Sequence, residues 1–132
     1  MIEISKDKTK LQIDVIHSFL TKAYWAKGRT VEEVKRSIEH SLCYGVYSDG
    51  NQIGFARIAT DYTVFAYLMD VFILDAFRGN GYSKQLMAAI SEDKQLKSCK
   101  VWMLKTADAH GLYKQFGFNA LGSPEKVMER LL

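Results

Sequence analysis

Hydrophobic positions along this chain change their period several times, and each change marks an element. Met1 to Ser5 alternates as a short strand. Leu11, Val15, Phe19 and Leu20, with Ile16 beside them, recur at helical spacing and predict a first helix up to about Lys22. Tyr24-Trp25-Ala-Lys-Gly-Arg29 reads as a loop. Thr30 is a good N-cap, and Glu33 stands at the reciprocal capping-box position. Val31, Val34 and Ile38 then predict a second helix ending near His40. Leu42 to Tyr47 and Gln52 to Ala59 read as paired strands around a tight Asp49-Gly50 turn. Phe65 to Leu74 reads as a long strand. Tyr82, Leu86 and Ile90 define the face of a third helix. Lys100 to Lys105 is the next strand and Ala107 to Phe116 the fourth helix, with Phe118 to Leu121 and Val127 to Leu131 as weaker strands. No internal repeat is present.

The junction after the long strand carries the first chemical signal. The apolar run stops at Asp75 and passes through Arg78-Gly-Asn-Gly81 into the third helix. Glycines let successive N–H groups point into one concavity, and the positive end of the following helix adds to it, so this joint can hold an anion. A P-loop would need Gly-x-x-x-x-Gly-Lys-Ser/Thr, which does not occur. A dinucleotide fingerprint begins correctly at Gly79-Asn80-Gly81, but Lys84 stands where its third glycine belongs, and too little chain remains after it for a doubly wound domain.

What matches is Arg-x-x-Gly-x-Gly/Ala, carried by Arg78 and Gly81 with Ser83 in the last position, directly after the strand Leu68-Met-Asp-Val-Phe-Ile73. This resembles the pyrophosphate loop of the GNAT superfamily of acyl-CoA-dependent N-acetyltransferases. Ala109-His-Gly-Leu-Tyr-Lys-Gln-Phe-Gly-Phe118, about 30 residues further on, is similar to that superfamily's Ala-x-x-Leu-Tyr-x-x-x-Gly-Phe segment. Thr106 stands where relatives often have Asn. The resemblance implies an α/β fold, a mixed, mostly antiparallel sheet flanked by about four helices in the order β-α-α-β-β-β-α-β-α-β-β. It also implies acetyl-CoA as co-substrate, a primary amine as acceptor, and direct attack in a ternary complex.

Carried over residue by residue, the resemblance assigns the pyrophosphate to backbone N–H groups of Arg78, Gly79, Asn80, Gly81, Tyr82 and Ser83, and the pantetheine arm to the backbone of Val71, Phe72 and Ile73. Tyr113 becomes the general acid that protonates the departing thiolate; the plain alternative is packing beside Leu112. Asp70, in an apolar strand, is a candidate base, with a structural carboxylate tied to backbone N–H groups or a basic side chain as the alternative. Tyr24 and Trp25 border the acceptor site in this fold and suit an amine or aromatic substrate, or pack a helix-connecting loop. Arg29 suits a carboxylate, or is solvated. Asp61 and Tyr62 either reach the acceptor cleft or form a hairpin turn. A transferase using another acyl donor, and a non-catalytic acyl-CoA-binding or sensing module, are the competing readings. Tyr113 separates the sensor from the enzyme, since a sensor has no need of it.

Composition narrows the setting. A chain of 132 residues with 48% hydrophobic content supports one real core and not two, so 1–132 reads as a single domain. A net charge of +3, from 18 dispersed basic and 15 acidic residues, suits an anionic co-substrate but is no nucleic-acid footprint. Cys43 and Cys99 belong to no paired motif, and no secretory segment occurs, which points to the cytoplasm. No apolar run approaches a membrane span. His17, His40 and His110 lack metal-ligand spacing, so no metal is expected. No Ser, Cys or Thr nucleophile elbow is present, which disfavours an acyl-enzyme. The sequence allows a monomer or a homodimer, and leaves polyamine, aminoglycoside, amino acid and protein N-terminus open as acceptors.

Overall fold

The computed structural model describes residues 1–132. Five strands form one sheet in the order β1-β2-β3-β4-β5: β1 Glu3–Ser5, β2 Leu42–Ser48, β3 Asn51–Thr60, β4 Phe65–Ile73 and β5 Val101–Leu104. Every neighbouring pair is antiparallel except β4 and β5. Four helices cover it: α1 Ile13–Leu20, α2 Val31–Glu39, α3 Tyr82–Ser91 and α4 His110–Lys114. No helix is long and apolar enough to cross a membrane. The mixed, mostly antiparallel α/β class expected from the sequence is the one observed.

Local rules account for several boundaries. Thr30 Oγ1 accepts the Glu33 N–H at 3.1 Å, and Glu33 Oε1 accepts the Thr30 N–H at 2.9 Å, so the capping box at α2 is closed from both sides. The β2–β3 turn has φ of 51° at Asp49 and 79° at Gly50. Two positive φ values in a two-residue loop match the right-handed twist of the strands it joins.

The sheet separates two apolar clusters. Leu86, Met87 and Ile90 of α3 pack with Tyr44, Val46, Ile58, Ala66 and Leu68 on one face. Ile16 and Leu20 of α1 and Val34 and Ile38 of α2 pack with Cys43, Phe55 and Phe72 on the other. Leu68 and Phe72 are four apart on one strand, and in a regular strand both would face the same way. They do not, because β4 carries a bulge: Phe55 pairs with Phe72 and Arg57 with Met69, so an extra residue lies on β4. Asp70 has φ of 56° at that point. The bulge turns the later side chains to the opposite face.

Two expectations are corrected. Residues 118–121 and 127–131 form no strands. Phe118 is held by the end of α4, Gly122 and Pro124 interrupt the terminal segment, and Leu121, Val127, Met128 and Leu131 are exposed. A short apolar run becomes a strand only with a partner to pair with, and these runs have none. The fourth helix is also shorter than its periodicity suggests, beginning at His110 rather than Ala107.

Candidate active site

The β4–β5 pairing stops at Leu68 and Leu104. Beyond it the strands part, and β4 from Met69 to Ile73 has no neighbour on its β5 side. A strand with free N–H and C=O groups inside a fold is a binding surface for another extended chain. The bulge at Asp70 lies in this opened stretch. Val71 and Ile73 border the cavities on either side of it, whereas the Phe72 ring is buried, stacked on Phe19 at 4.0 Å between centroids.

Asp70 is the centre of a buried cluster. Its Oδ2 accepts from Arg29 Nη1 at 2.6 Å and from Arg57 Nε at 2.9 Å, and its Oδ1 accepts from Trp25 Nε1 at 3.1 Å. The Asp70 side chain is 1% exposed. Two arginines compensate a carboxylate that would be costly to bury alone. Arg57 also donates from Nη1 to Ser41 Oγ and from Nη2 to Met69 Sδ, both at 3.1 Å. Arg57 was not singled out by sequence reasoning; the signal was a guanidinium inside the apolar strand Ile53 to Ile58.

Tyr24, Trp25 and Arg29 come from the loop between α1 and α2. That loop closes on itself through the Gly28 N–H to Thr21 O bond of 3.0 Å, with Gly28 at φ 81°. The Tyr24 hydroxyl accepts the Ala107 N–H at 3.2 Å, tying the loop to the segment before α4. These residues, with Asp70, Val71 and Tyr113, line a cavity of about 300 Å³. Asp61 and Tyr62 are elsewhere: Asp61 Oδ1 accepts from the N–H groups of Thr63, Val64 and Phe65 and organises the turn before β4.

Tyr113 is fixed by the way α4 ends. The Gly117 N–H donates to Lys114 O and the Phe118 N–H to Tyr113 O, both at 3.2 Å, with Gly117 at φ 88°. This is the bond pair of a Schellman motif, and its apolar contact is Tyr113 against Phe118, with ring centroids 6.0 Å apart. The Tyr113 hydroxyl has no partner within the chain and faces the cavity. Burial, with smaller contributions from Tyr24 and Asp108, pushes its pKa up to about 12. Cys43, on the α1–α2 side of the sheet, is likewise pushed by burial to about 11 and lies outside the cavity.

Around the other end of the opened strand, Ile73, Arg78, Gly79, Gly81, Tyr82 and Ser83 line a second cavity of about 330 Å³. The first backbone bond of α3 runs from the Gln85 N–H to Gly81 O, and no side chain caps the helix. The N–H groups of Tyr82, Ser83 and Lys84 are therefore free for an anion. Arg78 departs from its expected role: its backbone N–H donates to Asp75 O at 3.3 Å and is not free for a phosphate, and its side chain is turned back, with Nε donating to Ile73 O at 3.1 Å. Asn80 also turns inward, its Nδ2 donating to Phe77 O at 3.0 Å, and so shapes the loop from behind. The donors present fit a pyrophosphate at one end of the groove and a polar, extended arm along it.

Comparisons with known proteins agree with this geometry. Residues 39–120 match the pattern of the acetyltransferase (GNAT) domain. A crystal structure of a GNAT-family protein from Xanthomonas campestris pv. campestris is 44% identical, covers 100% of this chain and 94% of its own, and superposes with a TM-score of 0.97. A Gibberella zeae protein provisionally named an acetyltransferase is 26% identical over 86% of this chain and 77% of its own length. A Clostridium acetobutylicum protein, predicted to be an acetyltransferase and crystallised with acetyl-CoA, shares the fold at 14% identity, with a TM-score of 0.73 over 99% of this chain and 96% of its own. With its opened fourth strand, its anion-ready helix start and these relatives, the chain belongs to the GNAT family of acetyltransferases.

Proposed function

We propose that this protein transfers the acetyl group of acetyl-CoA to a primary amine by direct attack within a ternary complex. The observation that carries the reading is the pair of cavities that flank the unpaired end of β4. One lies at the start of α3, beside Ile73 and the free N–H groups of that helix, and the other is lined by Val71 and Tyr113.

The chain's own groups supply the steps. The N–H groups of Tyr82, Ser83 and Lys84 take pyrophosphate oxygens, and the backbone from Val71 to Ile73 pairs with the pantetheine arm. The neutral amine attacks the thioester carbonyl carbon, the C–S bond breaks, and Tyr113 gives its hydroxyl proton to the leaving sulfur. The proton released by the nitrogen passes to solvent, and the phenolate regains one from it. Because burial raises its pKa, Tyr113 is in its donor form throughout the working range. Asp70, with both oxygens occupied, is read as a positioning residue that holds Trp25 and Arg29 at the cavity wall rather than as the base. Two buried, unpaired thiols suit a reducing compartment.

The test is release of free CoA from acetyl-CoA with a panel of primary amines, and mass-spectrometric detection of the N-acetylated product. Acetyl-CoA binding without turnover on any amine would favour the sensing module, and turnover only with longer acyl donors the alternative transferase.

A further inference from the structure

We infer that the acceptor is a small amine that also carries a carboxylate, an amino acid acetylated on its amino group, and that Arg29 binds that carboxylate. The inference rests on the acetyl-transfer reading above and names its substrate class.

The buried cluster holds two cations, Arg29 and Arg57, against one anion, Asp70. Within the buried cluster one positive charge is unmatched; Glu33 also feels Arg29, but it is exposed and its Oε1 accepts the Thr30 N–H. Arg57 does not line this cavity, and each of its three nitrogens already donates once, to Asp70, Ser41 and Met69. Arg29 commits only Nη1. Its Nε and Nη2 remain without a partner, its side chain is 19% exposed against 11% for Arg57, and it lines the cavity. A guanidinium with two adjacent free donors matches the planar, two-oxygen geometry of a carboxylate. Lys105 also lines the cavity, but it is exposed, screened by solvent and paired with the exposed Glu129, and its point charge lacks the planar fork of Arg29.

The same cavity also carries a carboxylate. Asp108 stands near Tyr113, where its charge is felt by the phenol. A carboxylate at Arg29 and an amine toward Tyr113 and Asp108 are the two poles of an amino acid. The cavity is about 300 Å³ and must also take the acetyl end of the donor, so both poles belong to one small molecule. Tyr24, Trp25 and Tyr67 give the remaining wall an aromatic surface suited to an apolar side chain.

The experiment compares phenylalanine with phenylalaninamide, and alanine with alaninamide, as acceptors for the parent protein and for Arg29→Gln and Arg29→Lys. The parent is expected to favour the acids in kcat/KM by about 30-fold, the worth of a charge-assisted pair of hydrogen bonds. Arg29→Gln should bring the acid-to-amide ratio close to unity, and Arg29→Lys should restore part of it. A purely structural Arg29 would lower thermal stability and leave the ratio alone, which overturns the inference, as do amides that match the acids in the parent. The second readout is calorimetric binding of N-acetylphenylalanine in the presence of CoA. If no amine is acetylated, the transfer reading fails on its own, and this binding still decides Arg29: loss in Arg29→Gln supports the carboxylate site, and equal affinity overturns it.

Discussion

Trp25 and Asp70 are 45 residues apart in sequence and meet through one hydrogen bond, from the indole Nε1 to Oδ1 at 3.1 Å. The bond joins the loop between α1 and α2 to the bulge of β4, so the cavity wall and the opened strand share one anchor. Asp70 also faces Arg57 and Arg29, and the anchor is therefore electrostatic as well as geometric.

Asp70→Asn tests that anchor. Asn tolerates the left-handed backbone, so φ of 56° is retained while the charge is removed. Arg57 is then left buried without its counter-ion. We expect a loss of about 3–5 kcal/mol in unfolding free energy by chemical denaturation, the range for breaking one side of a buried pair. A loss below ~1 kcal/mol would mean that water reaches the cluster and screens it.

Trp25→Ala removes the loop's share of the anchor. If the loop forms the acceptor wall, the acceptor's KM should rise several-fold more than the apparent affinity for acetyl-CoA, whose groove lies on β4 and α3. Steady-state kinetics with both substrates varied separates the two. Equal effects on both, or a drop in Tm alone, would make Trp25 a packing residue.

Gly81→Ala addresses the phosphate end. Nothing lies within 4 Å of a Cβ added there, so crowding is not what excludes a side chain in the free protein. The backbone excludes it, because Gly81 sits at φ 78°, where an L-residue costs roughly 1–2 kcal/mol. Relief of that strain would turn the free N–H groups at the start of α3 away from one another. We expect acetyl-CoA binding by calorimetry to weaken by about tenfold, which is ~1.4 kcal/mol, with the fold retained. Unchanged affinity would remove the loop from the binding site.

Much of this arrangement was legible in the sequence because it is local. The capping box at Thr30, the Asp49-Gly50 turn and the strand–glycine–helix joint each depend on residues within a few positions of one another. Tyr113 was legible only through the resemblance of residues 109–118 to the family segment; Gly117, whose left-handed conformation closes the helix, explains how Phe118 comes onto the Tyr113 ring. The cluster around Asp70 was only half legible. A carboxylate in an apolar strand is visible, but its partners depend on a bulge that turns the later side chains over, and no side-chain period records a bulge. Arg57 was missed for the same reason. The two expected terminal strands show the limit from the other side: Val127 to Leu131 has strand composition, yet pairing is non-local, and no partner strand is at hand.

Tyr113→Phe tests the chemistry and keeps the ring, so the contact with Phe118 should survive and Tm should change little. Its hydroxyl has no partner in the chain, so removing it orphans no other group. We expect acetyl-CoA affinity within a few-fold of the parent and a kcat lower by at least about tenfold, up to the ~10⁴ limit of a positioned acid. Tenfold corresponds to ~1.4 kcal/mol of transition-state stabilisation. The pH dependence is set by the sign of the shift. Burial raises the folded-state pKa to about 12, above the ordinary phenol value of about 10. The fold thus favours the neutral phenol; that contribution is complete below about pH 10 and is lost as pH rises through about 12. In the parent, then, kcat should show no break at the ordinary phenol pKa, and any decline from this group begins only near the raised value. Ultraviolet titration of the phenolates, compared with the Phe variant, should assign one late transition to Tyr113. A kcat for the Phe variant equal to the parent's would make Tyr113 a packing residue and pass the proton to water.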